Sequence, residues 1–345
     1  MKRTIRRAAP VAALGAAVWF LVFRQVTASE LRAALTGVKP WTLAVALCVM
    51  GLFFLCEASN TALGLRRLGY RTGLGRCLQY AAAGFFFSAV TPSASGGQPM
   101  QLYYMRKQQV DPGHGALVLL LELACWQAVS VLYGAVGLWL GRQLFSEVTG
   151  PGRLLAVAGM GLNLLTLGLI LAAILFPAWA RRLGAGLSGR LARRPKLLAI
   201  WDKARLQLER FSDAAPLVRQ SPSLLAAMFL TTAVQLALLY SVPFWIYRAL
   251  GLAGWSLPAV AAVQAVVSLS VSALPLPGAM GVGESGFLTA FRLMFPAQLL
   301  GSAMVLSRGV SFYLFVLLTG LSLAACSLAG RKKSPRHSPW QRGWC

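Results

Sequence analysis

Apolar runs long enough to cross a bilayer, parted by short basic loops, set the pattern of this chain. Lys2, Arg3, Arg6 and Arg7 precede an apolar run from Pro10 to Phe23. That run predicts a short first helix, with a signal peptide cleaved near Val26-Thr27-Ala28 as the competing reading. Trp41 to Leu65 is apolar apart from Glu57 and Asn60, and about 37 Å of helix spans a bilayer. Arg66, Arg67, Arg71 and Arg76 form a basic loop, after which the chain is uncharged from Cys77 to Met105. Asp111-Pro112-Gly113 reads as a turn. Further spans are predicted over Gly115 to Gly141, which carries Glu122 and Gln127, over the uncharged stretch Leu154 to Phe176, and over Pro222 to Tyr247. A second uncharged run covers Ala249 to Gly283. The last helix begins after Pro296, holds Arg308 and ends at a basic tail with Arg331, Lys332, Lys333, Arg336 and Arg342.

Two stretches interrupt this pattern inside uncharged segments. The first, Thr91 to Gln101, holds Pro92, Gly96, Gly97 and Pro99; the second, Leu274 to Gly286, holds Pro275, Pro277, Gly278 and Gly281. Helix cannot run through either, and lipid tolerates no unpaired backbone groups, so each break must face protein or water. Paired Gly/Pro interruptions in two halves of a membrane protein point to a transport site. Taking the Arg66 to Arg76 loop, the dense basic cluster Arg181 to Arg219 and the tail as all cytoplasmic, the crossings between any two must be even in number. Each broken segment then returns to the side it entered from. The expected fold is all-α, with about six full spans and two re-entrant hairpins in an inverted repeat. The first half covers about 10–176 with re-entrant segment 77–110, and the second 222–329 with re-entrant segment 257–286. Between them lies a cytoplasmic linker, 177–221, in which Leu197, Trp201, Ala204, Leu208 and Phe211 repeat at the spacing of an interfacial amphipathic helix. Residues 330–345 form the tail.

Composition agrees. The chain is 57% hydrophobic and 12% charged, with a mean hydropathy of +0.64. Its net charge of +24 comes from basic residues placed between apolar spans, which act as topology signals and contacts for anionic lipid rather than as a nucleic-acid surface. The six cysteines contain no Cys-x-x-Cys pair, and His114 and His337 lack metal-motif spacing, so neither a metal nor a cofactor is expected. Asp111 and His114 are the one pair resembling acid–base chemistry, and a turn explains them better. No catalytic set can be picked out, and the chain is not expected to be an enzyme.

Intramembrane charges are functional by default, and three of the nine acidic residues, Glu57, Glu122 and Glu284, lie in or beside membrane segments, with Arg308 deep in the last span. Structural ion pairing or helix packing is the alternative for each. A direct Glu57–Arg308 bridge and separate stations along one polar path both stay open. Gln98 and Gln101 add amides at the first break, and Thr91, Ser93 and Tyr104 complete the candidate path.

Phe87 to Met105 (Phe-Ser-Ala-Val-Thr-Pro-Ser-Ala-Ser-Gly-Gly-Gln-Pro-Met-Gln-Leu-Tyr-Tyr-Met), with Leu274 to Glu284 (Leu-Pro-Leu-Pro-Gly-Ala-Met-Gly-Val-Gly-Glu), resembles the lysylphosphatidylglycerol synthase transmembrane (flippase-like) family over about Pro10 to Ala329. The resemblance implies re-entrant helices in two inverted halves and flipping of lipids with charged or glycosylated head groups. It also implies that Glu57 and Arg308 occupy the family's acidic and arginine positions on the translocation path. The chain stops soon after its last helix, as a stand-alone member without the aminoacyltransferase domain would, so aminoacyl transfer is not carried over. The expected partners are membrane lipids: an anionic or aminoacylated phospholipid, a glycolipid or a hopanoid. A homo-oligomer or a lipid-synthesis enzyme partner stays open. The expected location is the inner (cytoplasmic) membrane, multi-pass, with both termini cytoplasmic. A membrane-embedded transferase on a lipid-linked substrate and a scaffold for lipid-synthesis enzymes are the competing functions.

Overall fold

A computed structural model describes residues 38–91, 94–140, 151–176, 220–272 and 281–332, together with positions 213 and 216. Their regular structure is entirely helical: α1 (Pro40–Arg67), α2 (Leu74–Val90), α3 (Gly97–Lys107), α4 (Pro112–Leu140), α5 (Pro151–Leu175), α6 (Pro222–Ala249), α7 (Leu257–Ser272), α8 (Val282–Ala290), α9 (Ala297–Arg308), a π-helical turn (Gly309–Tyr313) and α10 (Leu314–Lys332). Among the described residues five helices are long and apolar enough to cross a membrane: Pro40–Arg67, Pro112–Leu140, Ala156–Leu175, Pro222–Ala249 and the continuous Ala297–Cys326. The sixth expected span, Pro10 to Phe23, and the basic tail beyond Lys332 lie outside the described residues. So does the amphipathic linker helix, apart from positions 213 and 216.

The termini of α1 follow from its sequence. Pro40 sits in the first helical turn, where its missing N–H costs nothing, and Arg66 and Arg67 in the last turn complement the carbonyl end of the helix dipole. Against α1 lies α6, and polar contacts fix their relative direction. Lys39 N–H donates to Ala249 O at 2.9 Å at one end, while Arg67 Nε donates to Ser221 Oγ at 2.6 Å at the other. Midway, Asn60 Nδ2 donates to Thr232 Oγ1 at 2.9 Å and Gln235 Nε2 to Glu57 Oε2 at 2.7 Å. The first long helices of the two halves are therefore antiparallel over their whole length.

Each half then makes a hairpin of short helices. In the first, Tyr80 OH donates to Gln108 Oε1 at 2.8 Å, and Gln101 lies over Gly84, so α2 and α3 run antiparallel. The path closes where Tyr70, just before α2, meets the start of α4: its hydroxyl is 2.9 Å from His114 Nδ1 and accepts the Asp111 N–H at 3.1 Å. In the second half α7 and α8 pack on each other, with Gly286 against Val267 and Val271. Phe295, beyond α8, stacks edge-on against Tyr247 near the end of α6, with ring centroids 5.3 Å apart. Each hairpin thus leaves and returns at one end of the bundle, and the antiparallel α1 and α6 put the two entrances at opposite ends. The return arm of the second hairpin runs to Ala290, past the expected limit at 286.

Packing between halves is reciprocal. The first arm of each hairpin packs on the first long helix of its own half and on long helices of the other: α2 on α1 and α10, α7 on α6, α4 and α5. Glycine makes the second contact close, since a Cβ at residue 137 would lie 2.7 Å from Ala262 O, and Gly134 and Gly159 face Leu269 as tightly. Inside lipid, helices associate by such close backbone approach rather than by the hydrophobic effect. The main buried cluster joins Phe53 and Phe54 of α1, Ile246 of α6, Phe287 of α8, Phe291 and Phe295. Leu164, Leu165, Leu169, Leu230 and Leu321 are exposed, as lipid-facing residues would be.

Candidate functional site: a polar cavity between the two hairpins

Both hairpins open onto one cavity of about 710 Å³. Its polar lining includes Glu57, Gln98, Gln101, Glu122, Gln264, Ser307 and Arg308, set among Phe53, Phe54, Phe85, Trp126, Phe287 and Phe312. It divides into a carboxyl side and a guanidinium side.

On the carboxyl side, Glu57 sits ten residues before the Arg67 end of α1 and Glu122 ten residues into α4 from Pro112, each about 15 Å from its helix end. The Tyr70 contacts bring those ends together, so the two carboxyls lie at similar depth. Besides Gln235, Glu57 receives a hydrogen bond from the Gln101 side chain. Thr61, one turn along α1, donates to the Glu57 carbonyl at 3.3 Å and reaches the Glu122 carboxyl with the same side chain. Glu122 is 9% exposed, and its Oε1 has no partner among the described residues. Neither carboxyl has a basic ion-pair partner among those residues. Gln101 reaches Glu57 across α2 because residue 84 is glycine: a Cβ there would sit 2.5 Å from Gln101 Nε2. Gly97 serves the same crossing, since a Cβ on it would run into Ser88 Oγ and lie 2.8 Å from Gly84 O.

The guanidinium side is closed by a clamp. Glu284 Oε1 accepts from Arg308 Nε at 2.9 Å and from Tyr313 OH at 3.1 Å, while Oε2 accepts the Gly281 N–H at the start of α8. Gly281 holds φ at +80°, a conformation that favours glycine, and Glu284 three residues on reaches back to its N–H, satisfying one of the free donors at the start of α8. Arg308 lies over the Phe312 ring, 4.7 Å from its centroid, and against Gly283. The π-helical turn begins directly after Arg308 and carries Phe312 and Tyr313 back onto this cluster. Such turns are frequent at functional sites.

The structure thus pairs Arg308 with Glu284 rather than with Glu57, and leaves Glu57 and Arg308 as separate stations in one cavity. Several expectations need correction. Thr91 does not line the cavity but caps the break: its Oγ1 donates to Phe87 O at 2.6 Å and accepts the Gly96 N–H at 2.9 Å. Tyr104 packs with α2 and α10 residues and lies 5.6 Å from Lys107 Nζ, away from the cavity lining. Pro99 does not break helix; it occupies the first turn of α3, where a missing N–H has no partner to lose. The break is made instead by the stretch before Gly97, where Ala94 adopts φ +53°. Glu284 clamps from beside the cavity without lining it. Asp111 and His114 are held in a turn lock, with Asp111 Oδ1 accepting the Gly113 N–H at 2.8 Å. Pro92, Ser93, Pro275, Pro277 and Gly278 lie outside the described residues. Sequence reasoning missed Gln235, Gln264, Ser307 and Tyr313. Gln235 and Gln264 carried a signal, each as a lone amide in the middle of an otherwise apolar helix.

The model of the lysylphosphatidylglycerol synthase TM region matches residues 8–319. A UPF0104 membrane protein of Archaeoglobus fulgidus is 24% identical over 316 residues, covering 89% of this chain and 93% of the relative. The family match spans the two hairpins and every residue of the cavity described above, and the chain belongs to the lysylphosphatidylglycerol synthase transmembrane-region family.

Proposed function

We propose that this multi-pass membrane protein translocates a polar-headed lipid between leaflets, the head group passing through the cavity while the acyl chains stay in the bilayer. One observation carries the reading: a cavity of about 710 Å³ at the meeting of two oppositely entering hairpins, lined by two carboxyls and a guanidinium. That volume suits a head group or other small ligand. Buried charges are expensive in hydrocarbon, at about 2.5–3.5 kcal/mol each on insertion scales, and are kept where a polar solute must pass. The hairpins enter the bilayer as re-entrant segments. Positive charge supports an orientation in a cytoplasmic membrane: Arg66, Arg67, Arg71, Arg76, Arg106 and Lys107 gather at the end where the first hairpin enters, against Lys39, Arg248 and Arg292 at the other. The C-terminal end of α10 returns to the more basic end, which is the cytoplasmic one. The protein acts by passage rather than by bond making, a reading supported by carboxyls held by amides and hydroxyls and by a guanidinium held in a clamp.

Lipids retained through purification, identified by mass spectrometry, give the substrates for the test. Vesicles of those lipids carrying the purified protein are expected to equilibrate a labelled head group between leaflets faster than protein-free vesicles. An unchanged leaflet distribution across the retained lipids and imposed ion gradients contradicts the reading.

A further inference from the structure

The carboxyl side of the cavity has a chemistry that passage of a head group does not by itself require. Glu57 and Glu122 lie at one depth and interact electrostatically, with Thr61, which is bonded to the Glu57 backbone carbonyl, reaching the Glu122 carboxyl. Two carboxylates at such a site repel each other where little solvent screens them, and one proton held between them removes the repulsion. The second observation is the unpartnered Glu122 Oε1, in a residue 9% exposed, on the cavity lining. An ionised carboxylate only accepts hydrogen bonds, so this oxygen calls for a donor or a bound cation.

We propose that Glu57 and Glu122 form a shared proton site, taking one proton from water on one side of the membrane and releasing it to the other as the head group crosses. The site stands on its own geometry; its coupling to lipid movement rests on the translocation reading. A metal cation fits less well. It needs several converging oxygen ligands, whereas Glu57 is approached by the Gln235 N–H and by Gln101. Among the described residues no three His, Cys, Asp or Glu side chains come together as a metal set.

The surroundings leave the pair as the group that exchanges the proton. Its titratable and charged neighbours are Cys56 on α1, Cys77 on α2, Cys125 on α4 and, across the cavity, Arg308 with Glu284. From α6 comes Tyr240, engaged by Ser130 and Ser268, together with Gln235. From α3 and α7 come the amides of Gln101 and Gln264, and α5 has no titratable side chain from Leu154 to Leu175. Arg308 is occupied by Glu284, so it does not neutralise the pair directly.

Infrared difference spectroscopy of the purified full chain in lipid nanodiscs reads the site without any transport assay. The wild type is expected to show the carbonyl-stretch band of a protonated carboxylic acid that titrates with pH and is indifferent to sodium. Glu57→Gln and Glu122→Gln, near-isosteric changes, should each abolish that titration; where one variant does not fold, the other carries the test. Absence of a titrating band in the wild type, or its survival in the variants, overturns the proposal. A band set by sodium at fixed pH overturns the proton as ligand. A second arm uses vesicles of phosphatidylethanolamine and phosphatidylglycerol with a labelled phosphatidylethanolamine and an imposed pH gradient. The gradient is expected to change the wild-type translocation rate several-fold and to have no effect in Glu122→Gln. Movement indifferent to the gradient overturns the coupling alone, whereas a titrating site without any lipid movement upholds the site and counts against the translocation reading.

Discussion

The two sides of the cavity hold charge in opposite ways. On the second-half side Arg308 meets Glu284 at 2.9 Å, and the same carboxylate binds Tyr313 and the α8 N-terminus, so one acid joins a hairpin arm to the last span and is satisfied by doing so. On the first-half side Glu57 and Glu122 meet, among the described residues, amides, a hydroxyl and each other's charge, and one oxygen has no partner there. The two sides of one cavity therefore carry a satisfied ion pair and a pair of acids with no basic partner among the described residues. An intramembrane charge is not evidence of function until its partners are known.

Breaking the clamp is expected to have the largest effect on stability. Glu284→Ala leaves Arg308 without its carboxylate and should destabilise by about 3–5 kcal/mol, the cost of orphaning one member of a buried pair. Thermal unfolding of the purified protein in detergent reads this. The double change Glu284→Leu with Arg308→Met should recover most of that loss, because an apolar pair of similar volume replaces a desolvated one. Next come the glycines of the α2–α3 crossing: Gly97→Ala meets Ser88 and the Gly84 carbonyl and should cost about 1–3 kcal/mol by overpacking. Gly84→Ala should cost less, since a side chain can move aside, but it should slow lipid movement because the side chain it displaces is Gln101.

Smaller still is Gln235→Leu, which removes one of two amide donors from Glu57 and should cost about 1 kcal/mol, because Gln101 still donates. Thr91→Val loses the two hydrogen bonds that cap the break and should cost about 1 kcal/mol, with little effect on transport because Thr91 does not line the cavity. Glu57→Gln sharpens the comparison most, because the two sides respond differently. It should leave thermal stability nearly unchanged while reducing translocation at least tenfold, whereas changes to the clamp move stability first.

The long helices and the places where the chain breaks were legible because apolar runs and Gly/Pro clusters act locally. Pro99 shows the limit of that reading: a proline after two glycines looks like part of a break, yet in the first turn of a helix it costs nothing and starts one. Partners were less legible than charges. Glu284 and Arg308 stood out as ionisable groups, but the π-helical turn that brings Tyr313 to them has no signal in Gly-Val-Ser-Phe-Tyr. Gly84 reads as an ordinary helical glycine until α3 lies across it, and the partner of Gln235 becomes visible only once α6 is known to run antiparallel to α1.

Passage of a head group through this cavity is tested most directly by obstructing it. Gln98 lines the cavity and is exposed, so Gln98→Cys, in a background with the other cysteines replaced, can take up a bulky thiol reagent after reconstitution. Complete modification is expected to halt leaflet equilibration of the labelled lipid, with recovery when a reducible adduct is removed. An unchanged rate in fully modified protein would contradict the account.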